Sequence, residues 1–179
     1  MSESQDSRMT IVAWSGDLDR VWPQLILATT GVRLSELRGL RLEDIEPDGL
    51  VLVRGKGARQ RQVYLLPATL AELRGWTARR AGYVFAAYEK GTPSCYLGTL
   101  PAARTLWVIV RRIAARAGVE GCYPHRLRVT AANRFLRLGG DLGALQVLLG
   151  HADISMTAHY GGWTAKERAL TMQRRLEVG

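Results

Sequence analysis

A mostly helical α+β fold with one small antiparallel hairpin is what the sequence predicts, on three observations. Apolar residues recur at helical spacing in several stretches. The clearest sets Leu106, Val110, Ile113 and Ala114 on one side and Arg104, Arg111, Arg112 and Arg116 on the other. Two short aliphatic and β-branched runs, 50–53 and 62–66, flank a segment with glycine on both sides of Lys56. The chain has 179 residues, 47% hydrophobic and 23% charged, which suits one globular domain with a real core.

Taken in order, residues 1–16 open on a polar stretch and are expected to be poorly ordered, with a single domain over 17–179. A helix is predicted over 17–30, burying Trp22, Leu25 and Ile26. Pro23 is tolerable there if the helix starts near Val21 or Trp22. Thr29-Thr30-Gly31 ends it, and a second helix over 33–40 buries Leu34, Leu37 and Leu40. After the hairpin, 67–81 reads as a helix anchored by Leu70, Leu73, Trp76 and Ala81. Residues 82–100, rich in Gly, Pro and aromatics, give no clear pattern. The basic amphipathic helix over 101–117 is closed by Gly118. Pro124 suits the start of a helix whose body is 128–138, Gly139-Gly140 turns, and an apolar helix over 142–149 stops at Gly150. Asp153 or Ser155 fits as the cap of a short helix over 156–160, and 164–176 has the spacing of a last amphipathic helix.

Charge points to the partner. Lys and Arg number 25 against 16 Asp and Glu, a net +9, which suits a polyanion and above all nucleic acid. Cys95 and Cys122 have no Cys or His neighbours at metal-ligand spacing and read as reduced thiols. The first residues lack the apolar segment of a signal peptide, and no apolar run is long enough to span a membrane.

Six residues carry candidate chemistry: Arg33, Lys56, His125, Arg128, His151 and Tyr160. Arg33 and Glu36 are three apart on one helix face, so the carboxylate can hold the guanidinium. Lys56 sits at a hairpin tip. His125 and Arg128 lie near a helix N-terminus, where an anion is favoured. Arginines offer forked donors to phosphate oxygens, histidines move or donate protons at neutral pH, and a phenol among cations can act as nucleophile. Arg54, Arg59, Arg61 and Arg126 are candidate DNA-phosphate contacts. No carboxylate cluster suits magnesium and no Gly-rich phosphate loop is present, so neither a metal nor a cofactor is expected. The set suits phosphoryl transfer onto a tyrosine, stabilised by fixed donors.

Thr30-Gly31-Val32-Arg33-Leu34-Ser35-Glu36-Leu37, Gly55-Lys56-Gly57, Pro124-His125-Arg126-Leu127-Arg128, Leu148-Leu149-Gly150-His151 and Tyr160 follow one another in an order that resembles the catalytic domain of tyrosine recombinases, the phage integrase family. That resemblance implies the recombinase catalytic-domain fold over 17–179, including a tail helix at 164–176, and leaves little room before residue 17 for the helical core-binding domain most members carry. It implies that Tyr160 attacks a DNA phosphate to form a 3′-phosphotyrosyl link, and that Lys56 protonates the departing 5′ oxygen. Arg33, Arg128 and His151 would then bind the phosphate, His125 would assist, and Glu36 would support Arg33. The implied partners are double-stranded DNA, other protomers in a tetramer on synapsed sites, and accessory DNA-bending proteins, with no membrane and a cytoplasmic location in a prokaryote or phage. A type IB topoisomerase-like activity, or a DNA-binding or assembly module with lost or autoinhibited catalysis, are the competing expectations. Val129 stands where many members have histidine, and Gly161-Gly162-Trp163 replaces a commoner polar tail.

Overall fold

Helix α1 (Leu18–Thr30) is the element on which the next four helices pack. The computed structural model describes residues 18–55, 57, 59–78, 81–85, 100–151, 155 and 157. The poorly ordered start expected over 1–16, Lys56 expected at the hairpin tip, Tyr160 expected as nucleophile and the tail helix expected over 164–176 lie outside the described residues. After α1 come α2 (Leu34–Arg38), a 3-10 turn (Leu42–Asp44), β1 (Leu50–Arg54), β2 (Gln60–Tyr64), α3 (Pro67–Thr77), α4 (Ala103–Arg116), α5 (Pro124–Arg137) and α6 (Leu142–Leu149). The fold is mostly helical with one two-stranded antiparallel sheet, as the periodicity predicts.

One core gathers Trp22, Ile26 and Leu27 of α1 with Leu73 of α3, Val110 of α4 and Leu127 of α5. The hairpin closes over it. Val51 pairs with Val63 and Val53 with Arg61, so these four residues share the inward face that strand alternation demands. Ala132 and Leu136 of α5 meet Leu145 and Leu149 of α6 in a second cluster, which fixes α6 against α5. Burying each such aliphatic side chain stabilises the fold by about 1.5–3 kcal/mol.

Several boundaries differ from expectation. α1 begins at Leu18, so Pro23 falls inside it and the helix loses one backbone hydrogen bond there. α2 ends at Arg38, and Leu40 is buried from the segment beyond it. β2 is Gln60–Tyr64 and not 62–66, because Arg54 pairs with Gln60 across a short connection. Leu65 leaves the sheet and donates its N–H to Gly49 at 3.0 Å. α3 stops at Thr77, leaving Ala81 exposed. In α5, Pro124 is the first helical residue, as expected, where its missing N–H costs nothing. Ser155 is itself helical, so it does not serve as a cap. Among the described residues no helix is long and apolar enough to cross a membrane.

Candidate active site

The site is built around the C-terminal end of α6. Asp141 starts this helix by accepting the Ala144 N–H at 2.8 Å. Gly150 ends it at φ 63°, a conformation that disfavours any side chain. Gly150 donates its N–H to Val147 at 3.1 Å and His151 to Gln146 at 3.1 Å, the paired bonds of a Schellman turn. The carbonyls of Leu148, Leu149 and Gly150 then need other donors.

Three arginines supply them. Arg61 Nε donates to Leu148 at 2.7 Å, Arg128 Nη2 to Leu149 at 2.7 Å, and Arg33 Nη2 to Gly150 at 3.2 Å. Arg61 comes from β2, Arg128 from α5 and Arg33 from the N-cap of α2, so three elements meet at one helix end. Cationic groups are favoured there, where the helix dipole is negative. Arg128 also donates to the carbonyl of Gly31. Gly31 has φ 66°, and a Cβ there would stand 2.8 Å from Leu149 Cδ2, so glycine lets the α1–α2 turn close on α6.

Glu36 links two of the three arginines. Its Oε1 accepts from Arg33 Nη1 at 3.0 Å and Arg61 Nη1 at 2.8 Å. Its Oε2 accepts from the Arg33 backbone N–H at 2.7 Å and Arg61 Nη2 at 2.8 Å. Burial by itself would raise this carboxyl, but the Arg61 hydrogen bonds, the Arg33 N–H and the Arg61 charge prevail and lower it to about 2. The side chains of Glu36 and Arg61 are 3% and 9% exposed, whereas that of Arg33 is 39% exposed.

His151 follows directly. Its Nδ1 lies 2.9 Å from the hydroxyl of Thr157, which is fully buried. Burial, then the charges of Arg128, Arg33, Arg61 and His125, lowers its pKa to about 4. The ring is therefore neutral at neutral pH, with one nitrogen able to donate. His125, the second residue of α5, is exposed and close enough to act on His151. Arg33, Glu36, His125, Arg128 and His151 thus come together.

The predicted phosphate contacts separate. Arg61 is turned inward onto Glu36 and Leu148, not outward to solvent. Arg54 forms a two-pronged ion pair with buried Asp44, at 2.7 Å and 3.2 Å. Arg126 Nη1 donates to Gly121 at 3.1 Å. Arg59 is exposed where the chain enters β2. Of the four, Arg61 is the buried one; the Arg54 side chain stays 50% exposed beside Asp44. The place of Arg61 at this helix end was missed, although alternation puts it on the same strand face as buried Val63, and a charge on an inward face signals a buried partner. Thr157 was also missed, because its spacing from His151 carries no signal in the sequence.

Comparison with known proteins identifies the family and the fold. The chain is 42% identical over 134 residues to the tyrosine recombinase XerC of Xylella fastidiosa (strain M23), covering 74% of this chain and 44% of that protein. It therefore spans less than half the length of that curated relative. The crystal structure of XerA recombinase superposes with a TM-score of 0.80 at 25% identity, covering 96% of this chain and 64% of that one. A post-cleavage complex of XerH site-specific recombinase with palindromic difH substrate superposes with a TM-score of 0.76 at 21% identity, over 96% of this chain and 52% of that one, a likeness of fold. The family model described as phage integrase matches residues 19–167. Sequence and architecture agree over that span, and the chain belongs to the phage integrase family, with the fold of a tyrosine recombinase catalytic domain.

Proposed function

We propose that this domain breaks and rejoins duplex DNA at specific sites by transferring a phosphodiester to Tyr160. The phenolate oxygen attacks phosphorus and the P–O5′ bond breaks, which leaves a 3′-phosphotyrosyl link and a 5′-hydroxyl. Lys56 donates the proton that the 5′ oxygen takes up. A 5′-hydroxyl from a second strand reverses both steps, so the energy of the phosphodiester is conserved and no nucleotide is consumed. Arg33 faces the non-bridging oxygens with its half-exposed fork, and Arg128 adds fixed charge from below. Neutral His151, its Nδ1 paired with the Thr157 hydroxyl, donates from Nε2 to a phosphate oxygen, and His125 assists proton transfer.

The observation that supports this best is the meeting of Arg33, Arg128 and His151 at one end of α6, with Arg33 the most exposed. The net charge of +9 suits DNA. Among relatives of the same fold, XerH is described bound to its DNA after cleavage, and a lambda integrase dimer bound to a core site. By that analogy the working unit is a set of protomers on DNA, a tetramer on two synapsed sites, with DNA-bending accessory proteins where the sites require them. Its place of work is where the DNA is, the cytoplasm of a prokaryotic cell.

The test is incubation with nicked half-site duplexes followed by a denaturing gel. A covalent adduct, lost in Tyr160→Phe, supports the reaction. Salt-sensitive DNA binding with no adduct on any half-site identifies a binding module instead.

A further inference from the structure

We propose that Arg61 is a positioning residue of the anion site: by occupying both oxygens of Glu36 it releases the charge of Arg33 for a phosphate. This inference rests on the proposed function for the identity of the anion. Arg33 and Glu36 taken as a pair are electrically neutral, and a carboxylate beside a phosphate-binding guanidinium competes with the phosphate. Arg61 changes that balance, because two guanidinium charges against one carboxylate leave one positive charge. The exposures say where it lies. Arg61 and Glu36 are buried at 9% and 3%, while Arg33 is 39% exposed.

Geometry also separates Arg61 from a simple tether. Its two terminal nitrogens each take a different oxygen of Glu36 at 2.8 Å, the fork-on-carboxylate match that localises the charge most fully. Arg33 makes only one side-chain bond to the same carboxylate, at 3.0 Å. Arg61 Nε holds Leu148, and its Nη1 would lie 3.0 Å from a Cβ at Gly150, so its side chain lies along the turn that carries His151. Thus the residue that neutralises Glu36 also fixes the turn where Arg33 and Arg128 are anchored. The charged groups facing Glu36 are Arg33 from α2 and Arg61 from β2. Among the causes that lower its carboxyl, Arg61 ranks above Arg33, although burial opposes both.

The experiment compares Arg61→Met, Glu36→Gln and the double variant, using the full chain and a nicked half-site duplex in single turnover. Arg61→Met is expected to slow adduct formation by on the order of 10²-fold, because Glu36 then competes for Arg33. Adding Glu36→Gln removes the competitor and is expected to recover about tenfold, a non-additive gain read well below the melting temperatures of both variants, where relief of a buried unpaired acid does not change the folded fraction. A double variant no faster than Arg61→Met overturns the proposal. If Arg61→Met does not fold, the same comparison is made with Arg61→Gln and Arg61→Gln/Glu36→Gln, with the same two outcomes. If the wild-type chain forms no adduct, the proposed function fails by itself. The inference is then read from the rise in melting temperature with inorganic phosphate. A rise that is reduced in Arg61→Met and restored in the double variant supports it, and equal rises in the two variants overturn it.

Discussion

Arg33 and Arg128 bind neighbouring carbonyls, Gly150 at 3.2 Å and Leu149 at 2.7 Å, although they come from opposite halves of the chain. They differ in exposure: the Arg33 side chain is 39% exposed and Arg128 is 3% exposed. Replacing either with alanine is expected to slow adduct formation by on the order of 10²–10³. Stability should separate them. Arg128→Ala leaves the carbonyls of Gly31 and Leu149 buried without that donor, a loss of about 1–3 kcal/mol, whereas Arg33→Ala changes the urea midpoint little. Equal midpoints for the two variants contradict this division.

Gly150→Ala tests the turn. At φ 63° a side chain costs about 1–2 kcal/mol, and its Cβ would lie 3.0 Å from Arg61 Nη1. The variant should unfold at lower urea and lose adduct formation by more than its stability loss explains, since Arg61 must move. Unchanged cleavage in a folded Gly150→Ala protein counts against the role given to this turn.

Acid should weaken the fold in two stages. His151 is lowered from 6.5 to about 4 by burial and then by Arg128, Arg33, Arg61 and His125, so between those values the unfolded chain binds a proton that the folded one refuses. Stability from this source is full above pH 6.5 and falls on acidification toward 4. Glu36, held at about 2 although burial opposes it, adds a second fall between 4.5 and 2 as its bonds to Arg61 and Arg33 are lost. Urea midpoints against pH should therefore show a shallower upper slope in His151→Gln than in wild type. Superimposable curves refute the assignment.

Arg59 and Arg54 should part company in salt titrations. Arg59→Ala, at an exposed position, is expected to reduce the slope of log affinity against log salt by about 0.9 without changing the melting temperature. Arg54→Ala strips a partner from Asp44, whose side chain is 3% exposed, and should lower the melting temperature. A melting curve for Arg54→Ala identical to wild type removes the structural role given to that pair.

Helix periodicity placed α1, α3, α4, α5 and α6 because each buries a wide apolar stripe, and the glycines and prolines at their ends mark where that stripe stops. The five motifs group Arg33, Lys56, His125, Arg128, His151 and Tyr160, with Glu36 in support; Lys56 and Tyr160 lie outside the described residues, and the other five lie near the end of α6. What sequence withheld was direction. Arg54, Arg59 and Arg61 look alike in a basic hairpin, yet Asp44 holds Arg54 at the surface, Glu36 holds Arg61 in the interior, and Arg59 is exposed. Those acceptors lie in other elements, so only the folded chain brings them within reach. The 3-10 turn at Leu42–Asp44 and the bridge from Arg41 to Tyr83 escaped for the same reason, since neither has a repeat to betray it.

Arg61 of β2, Glu36 of α2 and the last carbonyls of α6 form one interlocked unit although they are far apart in sequence. Anyone exchanging segments between this chain and a relative must carry the three together. A hybrid cut between the hairpin and α6 that supplies a mismatched residue at 61 would strand a buried acid and a helix end at once, so crossover points belong on the far side of all three.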